Sequence, residues 1–327
     1  MGRSFTAEVL KLRKRPAPWV LALIFVVIIA ISYFSTYAFA RAPIGGSAGT
    51  TAEATIAQAP PPGSEATTGG TGPIPEAPAA GEEIPPEVEE QMQAEQEAFN
   101  EAFLESLYPR NLLSNVFSGG IFTVIGGTLL LILGALMVGS EYGWETFKTV
   151  LTQRPGRLGS LFGKLLAFGG ALLAFVLLGL LTAAVCSFII ASLEDVTVKW
   201  PAFEEIAKGV GVGFLTMTVW GALGFALAVL LRSTAFAIGL GLIWIIIENA
   251  IIPGILFDNE TFEKIRKALP GENASSLAQY FGNPLPEEFT GGFEPLVEPE
   301  RAIWVLAAYA VGFILISALI IWQRDVT

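Results

Sequence analysis

Six apolar runs punctuate the chain, at 19–40, 118–139, 162–193, 209–231, 235–257 and 302–322. Each is about as long as a helix needs to be to cross the hydrocarbon core of a bilayer, and each is almost free of charge. Trp19, Tyr33 and Tyr37 stand near the ends of the first run, where an aromatic belt would place them. Only Arg232-Ser-Thr separates the fourth run from the fifth, which predicts a tight hairpin with Ser233 as the N-cap of the fifth helix. The pattern predicts an all-α polytopic membrane protein with six transmembrane helices.

The polar segments carry patterns of their own. In residues 1–18, Phe5, Val9 and Leu12 recur at helical spacing among Arg3, Lys11, Arg13, Lys14 and Arg15, which fits either a short amphipathic helix on the inner membrane surface or a positive cluster that only sets topology. Ala38-Phe-Ala40 resembles a signal-peptidase site, but an apolar core of about twenty residues exceeds the 7–15 of a secretory signal, so the run reads as a span. Residues 41–117 form a long extracytoplasmic loop. Its first part, 41–86, is rich in Ala, Pro, Gly, Thr and Glu and too poor in large apolar residues to fold, so disorder is expected. A helix is expected over 88–108, with Val88, Met92, Phe99, Phe103 and Leu107 on one face and an acidic opposite face. Outer segments follow at 194–208 and at 258–301, the second half-apolar with an amphipathic stretch at 260–269, and 323–327 is a short inner tail.

The connection 140–161 differs from the others. On a helix, Trp144, Phe147, Val150 and Leu151 fall on one side and Glu145, Thr149, Thr152 and Gln153 on the other. Pro155-Gly156 stops that helix, because a proline pushes its predecessor out of the α region. Lys148, Arg154, Arg157 and Lys164 ring it with positive charge. The pattern fits either an ordinary basic loop or a docking helix for a cytosolic partner.

Composition sharpens the class. The chain is 53% hydrophobic with a mean hydropathy of +0.59, too apolar for a soluble domain of 327 residues. Its net charge of −11 divides unequally between the two sides. Eleven Lys/Arg and four acids fall on one side of the six-span layout, against eight Lys/Arg and twenty-five acids on the other. Since Lys/Arg beside the spans set orientation, both termini are expected in the cytoplasm; the outer cluster Lys264, Arg266 and Lys267 argues mildly against this. Histidine is absent, which removes the commonest general base and transition-metal ligand, and the single Cys186 leaves no intrachain disulfide. No catalytic residues and no metal ligands are assigned. Gly159 to Lys164 misses the phosphate-binding loop pattern by one residue of spacing and by Leu165 in place of Ser or Thr. Glu248-Asn249 is the polar exception within the spans. A central carboxylate costs about 2.5–3.5 kcal/mol on insertion scales, so Glu248 must face protein or water, or carry a proton. The pair is a candidate lining of a substrate path or a subunit seam, with a purely structural interhelical hydrogen bond as the alternative.

Glu141-Tyr142-x-Trp144-x-Thr146, with Lys148, Leu151, Arg154-Pro155-x-Arg157 and Gly163-Lys164, resembles the first cytoplasmic loop of ATP-binding-cassette (ABC) exporter permeases of the second type. In that family a glutamate closes the second span, a Trp-Gly-Thr triplet opens a coupling helix, and a Pro-x-Arg…Gly-Lys run leads into the third span; here Glu145 stands at the glycine position. The resemblance implies an N-terminal elbow helix and short outer helices before the sixth span. It also implies an ATPase-docking role for Glu141, Trp144, Thr146, Phe147, Lys148, Leu151, Arg154 and Arg157. The partners it implies are two cytosolic ABC ATPase subunits, a second permease copy or paralogue as a dimer, and membrane lipid, with no nucleic acid. It implies no cofactor in this chain, since ATP and Mg²⁺ would belong to the ATPase.

Three other classes compete. A secondary transporter would carry several intramembrane ionisable residues or inverted repeats, and only Glu248 is present. A membrane protease of the Ser-His or paired-Asp type lacks its residues. A non-catalytic scaffold or signalling subunit differs from a permease in that its deletion would leave no substrate accumulated.

Overall fold

The computed structural model describes residues 2–42, 86–118, 120–143, 157–252, 260–282 and 295–323. The expected disordered segment therefore lies outside the described residues apart from its two ends. So do residues 144–156, Pro253-Gly254 and the inner tail.

The chain begins with α1 (Gly2–Lys14), which breaks at Arg15 where Pro16 opens α2 (Pro16–Ala40). The Trp19 indole N–H donates to the Arg13 carbonyl at 3.0 Å and fixes the angle of that break. On the far side of α2 lies α3 (Pro86–Ser106), whose Phe103 ring meets Phe39 with 6.0 Å between centroids. A single 3₁₀ turn, Pro109–Asn111, leads from it into α4 (Leu112–Ser118). The second apolar run starts at Gly120, which takes a left-handed φ of 67° and turns the chain through a π-turn, Ile121–Gly126, into α5 (Gly127–Gly143). Next come α6 (Arg157–Leu193) and α7 (Phe203–Leu231), each starting several residues before its apolar run. The early start of α7 follows from Glu204 and Glu205 in its first turn, with the Glu205 carboxylate accepting from the Ala202 N–H at 3.1 Å. Arg232 closes α7 in the left-handed conformation, and Ser233 Oγ accepts from the Phe236 N–H at 3.4 Å to cap α8 (Thr234–Ile246). Two short helices, α9 (Glu260–Arg266) and α10 (Pro270–Ala278), precede the last long helix, α11 (Pro299–Gln323).

Among the described residues, five helices are long and apolar enough to cross a membrane: Pro16–Ala40, Phe122–Ser140, Phe162–Leu193, Phe203–Leu231 and Pro299–Gln323. The fifth apolar run forms a shorter apolar helix, Thr234–Asn249. Regular α geometry stops at Ile246, and in the turn that follows Asn249 Nδ2 donates back to the Ile245 carbonyl at 3.0 Å. The backbone slips to i→i+5 spacing over Ile247–Ile251, closed by the Ile252 N–H on the Ile247 carbonyl at 2.9 Å.

Packing is closest between α5 and α7. A Cβ on Gly224 would overlap the Leu131 carbonyl, and one on Gly134 would overlap the Gly221 carbonyl, so these backbones meet with nothing between them. The largest core joins α2, α5 and α6 through larger side chains, with Phe25, Ile29, Tyr33, Leu130, Phe168 and Leu172 all buried. At the end of the bundle away from α1, α10 rests its Ala274 and Leu277 on Val219 of α7 and on Ala302, Leu306 and Ala310 of α11. Outward faces of α2, α6 and α11 stay apolar, including Leu23, Ile31, Leu181, Phe188 and Leu315, as expected where lipid is the solvent. Trp19, Trp200, Trp304 and Trp322 are exposed near helix ends, the positions of interfacial anchors.

Candidate functional site

Two polar constellations break the apolar interior, one at each end of the bundle. At the end where α5 finishes and α6 begins, Trp144, Thr146, Phe147, Lys148, Leu151 and Arg154 lie outside the described residues. Glu141 falls in the last turn of α5, and Arg157 is the first residue of α6. The base of their connection is described in detail. Lys164 is 5% exposed and its Nζ meets Glu8 Oε1 at 3.1 Å, while Glu8, 6% exposed, also accepts from Lys11 Nζ at 2.8 Å. Arg15 donates to Ser140 Oγ at 2.8 Å. The N-terminal helix thus reaches the first helix after the connection through Glu8, and the break that follows it reaches the last helix before the connection through Arg15. Burial works to raise the Glu8 pKa, but Lys164 and Lys11 outweigh it and hold the carboxyl below the ordinary glutamate value.

Lys164, one of the four cations read from the sequence as ringing the 144–153 segment, is buried against α1. Its side chain turns inward because α1 packs along the start of α6 and presents a carboxylate there. A signal was available in the sequence. Glu8 is three residues from both Phe5 and Lys11 and falls between Phe5 and Leu12 on the face expected to be apolar, where an unpaired acid would not be tolerated.

At the other end, Glu248 is 4% exposed within the π-turn that finishes the fifth apolar run. Its Oε1 accepts from the Gly271 N–H, in the first turn of α10, and so supplies the cap which that helix lacks locally: its N-cap residue is Leu269, whose side chain makes no cap hydrogen bond. When ionised, the carboxylate also meets the positive end of the helix dipole. A side chain at position 271 would fill the space that the carboxyl uses, since a Cβ there would lie 2.9 Å from Glu248 Cδ. Trp244, one turn earlier, adds a side-chain interaction, while Glu248 Oε2 accepts no hydrogen bond from any described residue. The same end of α10 is held from α11 by the Tyr309 hydroxyl, which donates to the Ala268 carbonyl at 3.1 Å, and Arg266 pairs with Glu272 at 3.0 Å. Asn249, the other candidate, turns its amide back to its own helix. The structure therefore separates the pair, with Glu248 directed to α10 and Asn249 to its own helix.

The sequence profile described as "ABC-2 family transporter protein" matches residues 4–267, which takes in α1, all the helices through α9 and the connection between α5 and α6. The chain belongs to the ABC-2 transporter family. No curated protein matches it. This ABC-2 protein is a multi-pass, all-helical membrane permease, the transport component of an ABC transporter. The match contains Glu8, Ser140, Lys164 and Glu248 but stops before Gly271, so the helix that Glu248 caps lies beyond the matched region.

Proposed function

We propose that this ABC-2 permease is half of an exporter in the cell membrane, assembled with a second copy or a paralogue and driven by two cytosolic ABC ATPase subunits. The ATPases dock on the 144–153 segment through Trp144, Phe147 and Leu151, with Glu141, Thr146, Lys148, Arg154 and Arg157 around them. ATP and Mg²⁺ bind in those partners. Nucleotide-driven closure of the ATPases displaces the segment, and rigid-body movement of the helices opens a path between the two permease halves. Both termini are cytosolic, which puts α3, α9 and α10 on the outer side.

The family match across the connection between α5 and α6 carries this reading. The asymmetry of charge supports it: Lys11, Arg13, Lys14 and Arg15 gather at the end of the bundle that holds the connection. At the other end α3 presents Glu90, Glu95, Glu97, Glu101 and Glu105. A Thr149→Cys variant in a Cys186→Ala background tests orientation and docking together. An impermeant maleimide should label it in inside-out vesicles only, and the bound ATPase should slow the labelling. Phe147→Asp with Leu151→Asp should abolish co-purification of the ATPase. Labelling from the outer compartment alone, or undiminished co-purification, overturns the assignment.

A further inference from the structure

The contacts of α1 serve more than membrane anchoring. An interfacial helix held only by lipid would turn its apolar face outward and its charges to water, and Phe5, Val9 and Leu10 are indeed exposed. Glu8 breaks that scheme, because it is buried with Lys164 at the start of α6. A buried charge pair is a poor way to gain stability but a geometrically exacting one, since each group needs the other in place. One turn beyond Lys11, Arg15 reaches Ser140 in the last turns of α5. The Trp19–Arg13 hydrogen bond then locks α1 to α2. Ser140 and Lys164 bracket the whole connection at 141–163, so α1, through Glu8, and the break that follows it, through Arg15, hold its two roots. Helix α5 meets α7 backbone-to-backbone, whereas α6 meets α5 and α2 through the larger side chains of their shared core.

We infer that Glu8 is a positioning residue: by pairing with Lys164 while Arg15 holds Ser140, it fixes the separation of the end of α5 from the start of α6, the two helices that flank the 141–163 connection. The inference rests on the proposed docking reading. Without the tie, α5 and α6 hold the docking-competent separation only part of the time, and the apparent affinity for the ATPase falls by that fraction.

The test uses the full chain in nanodiscs, Cys186→Ala, with spin labels at Ala7→Cys and Phe162→Cys, both exposed positions on α1 and α6. The unaltered pair should give one narrow distance, and Glu8→Gln, which keeps the shape and loses the charge, should broaden it. In parallel, capture of the cognate ATPase by the unlabelled chain should weaken about ten-fold in Glu8→Gln if about a tenth of the population stays competent. Lys164→Met should do the same, and the double variant should be no worse than either, the signature of one shared interaction. A general loss of folding would be marked by aggregation and would not show this non-additivity. Broadening with unchanged capture overturns the inference, as does Glu8→Gln behaving like the parent in both measurements, or strictly additive losses. Failure of the parent chain to capture any ATPase sinks the docking reading itself, a result that the distance measurement cannot produce.

Discussion

Replacing Glu248 by leucine removes the only described cap of α10. The charge-assisted bond to the Gly271 N–H is worth about 1.5–3 kcal/mol, and the buried donor left behind adds to the loss, so α10 should lose about 2–4 kcal/mol of attachment. The same change spares the protein an intramembrane carboxylate, a cost of about 2.5–3.5 kcal/mol on insertion scales. Two opposing quantities of similar size make the melting temperature a poor reporter, and a local measurement is needed. Ser276, on α10, is 1% exposed. In nanodiscs, a Ser276→Cys reporter in the Cys186→Ala background is labelled by a water-soluble maleimide only when α10 lifts. With opening fast relative to reaction, a loss of at least about 2 kcal/mol should speed labelling about thirty-fold or more. Glu248→Gln keeps an acceptor for Gly271 and loses nothing at Oε2, which accepts no hydrogen bond, so it should cost about 1 kcal/mol and speed labelling about five-fold. Equal labelling in the parent, Gln and Leu forms would refute the capping account, because the carboxylate would then hold nothing in place.

Three further outcomes are expected. Gly271→Ala puts a Cβ 2.9 Å from Glu248 Cδ and should accelerate the same reporter by displacing the carboxyl, at about 1–3 kcal/mol for an overpacked contact. Gly224→Leu should force α5 and α7 apart and lower the melting temperature or yield of the purified chain, while Gly211→Ala, with open space around its missing Cβ, should leave both unchanged. Because the folded pKa of Glu8 is depressed, its contribution is complete above the unfolded carboxyl pKa of about 4.3 and is lost as pH falls through the folded value. A spin label at Ala7→Cys should therefore keep constant mobility from neutral pH down to about 5 and loosen only in stronger acid; loosening near neutrality would contradict the Glu8–Lys164 tie.

The helices were legible because the bilayer imposes a length and a polarity that leave their mark on consecutive residues, and the polar connection stood out for the same reason. Ser233 was legible as a cap because an N-cap acts within three residues. The partners of the charged groups were not. Glu248 and Gly271 are 23 positions apart, and α10 has a short, mostly small-residue sequence, Pro-Gly-Glu-Asn-Ala-Ser-Ser-Leu-Ala, with no sign of a borrowed cap. Glu8 and Lys164 are 156 positions apart, and proximity in sequence assigned Lys164 to its basic neighbours instead. The π-turn at Ile247–Ile251 was equally hidden, since an asparagine in an apolar run does not reveal whether its amide will bond across helices or back to its own carbonyl. Burial alone was predictable for these groups; direction was not.

The seam between α5 and α7 limits where cargo can travel. Two helices whose main chains interlock through Gly134 and Gly224 cannot slide lengthwise or part slightly without driving a carbonyl oxygen into a neighbouring Cα. They form a single strut. No passage can thread between them, and whatever crosses the membrane must take a route bounded by other surfaces, with the strut as one wall that moves as a single body.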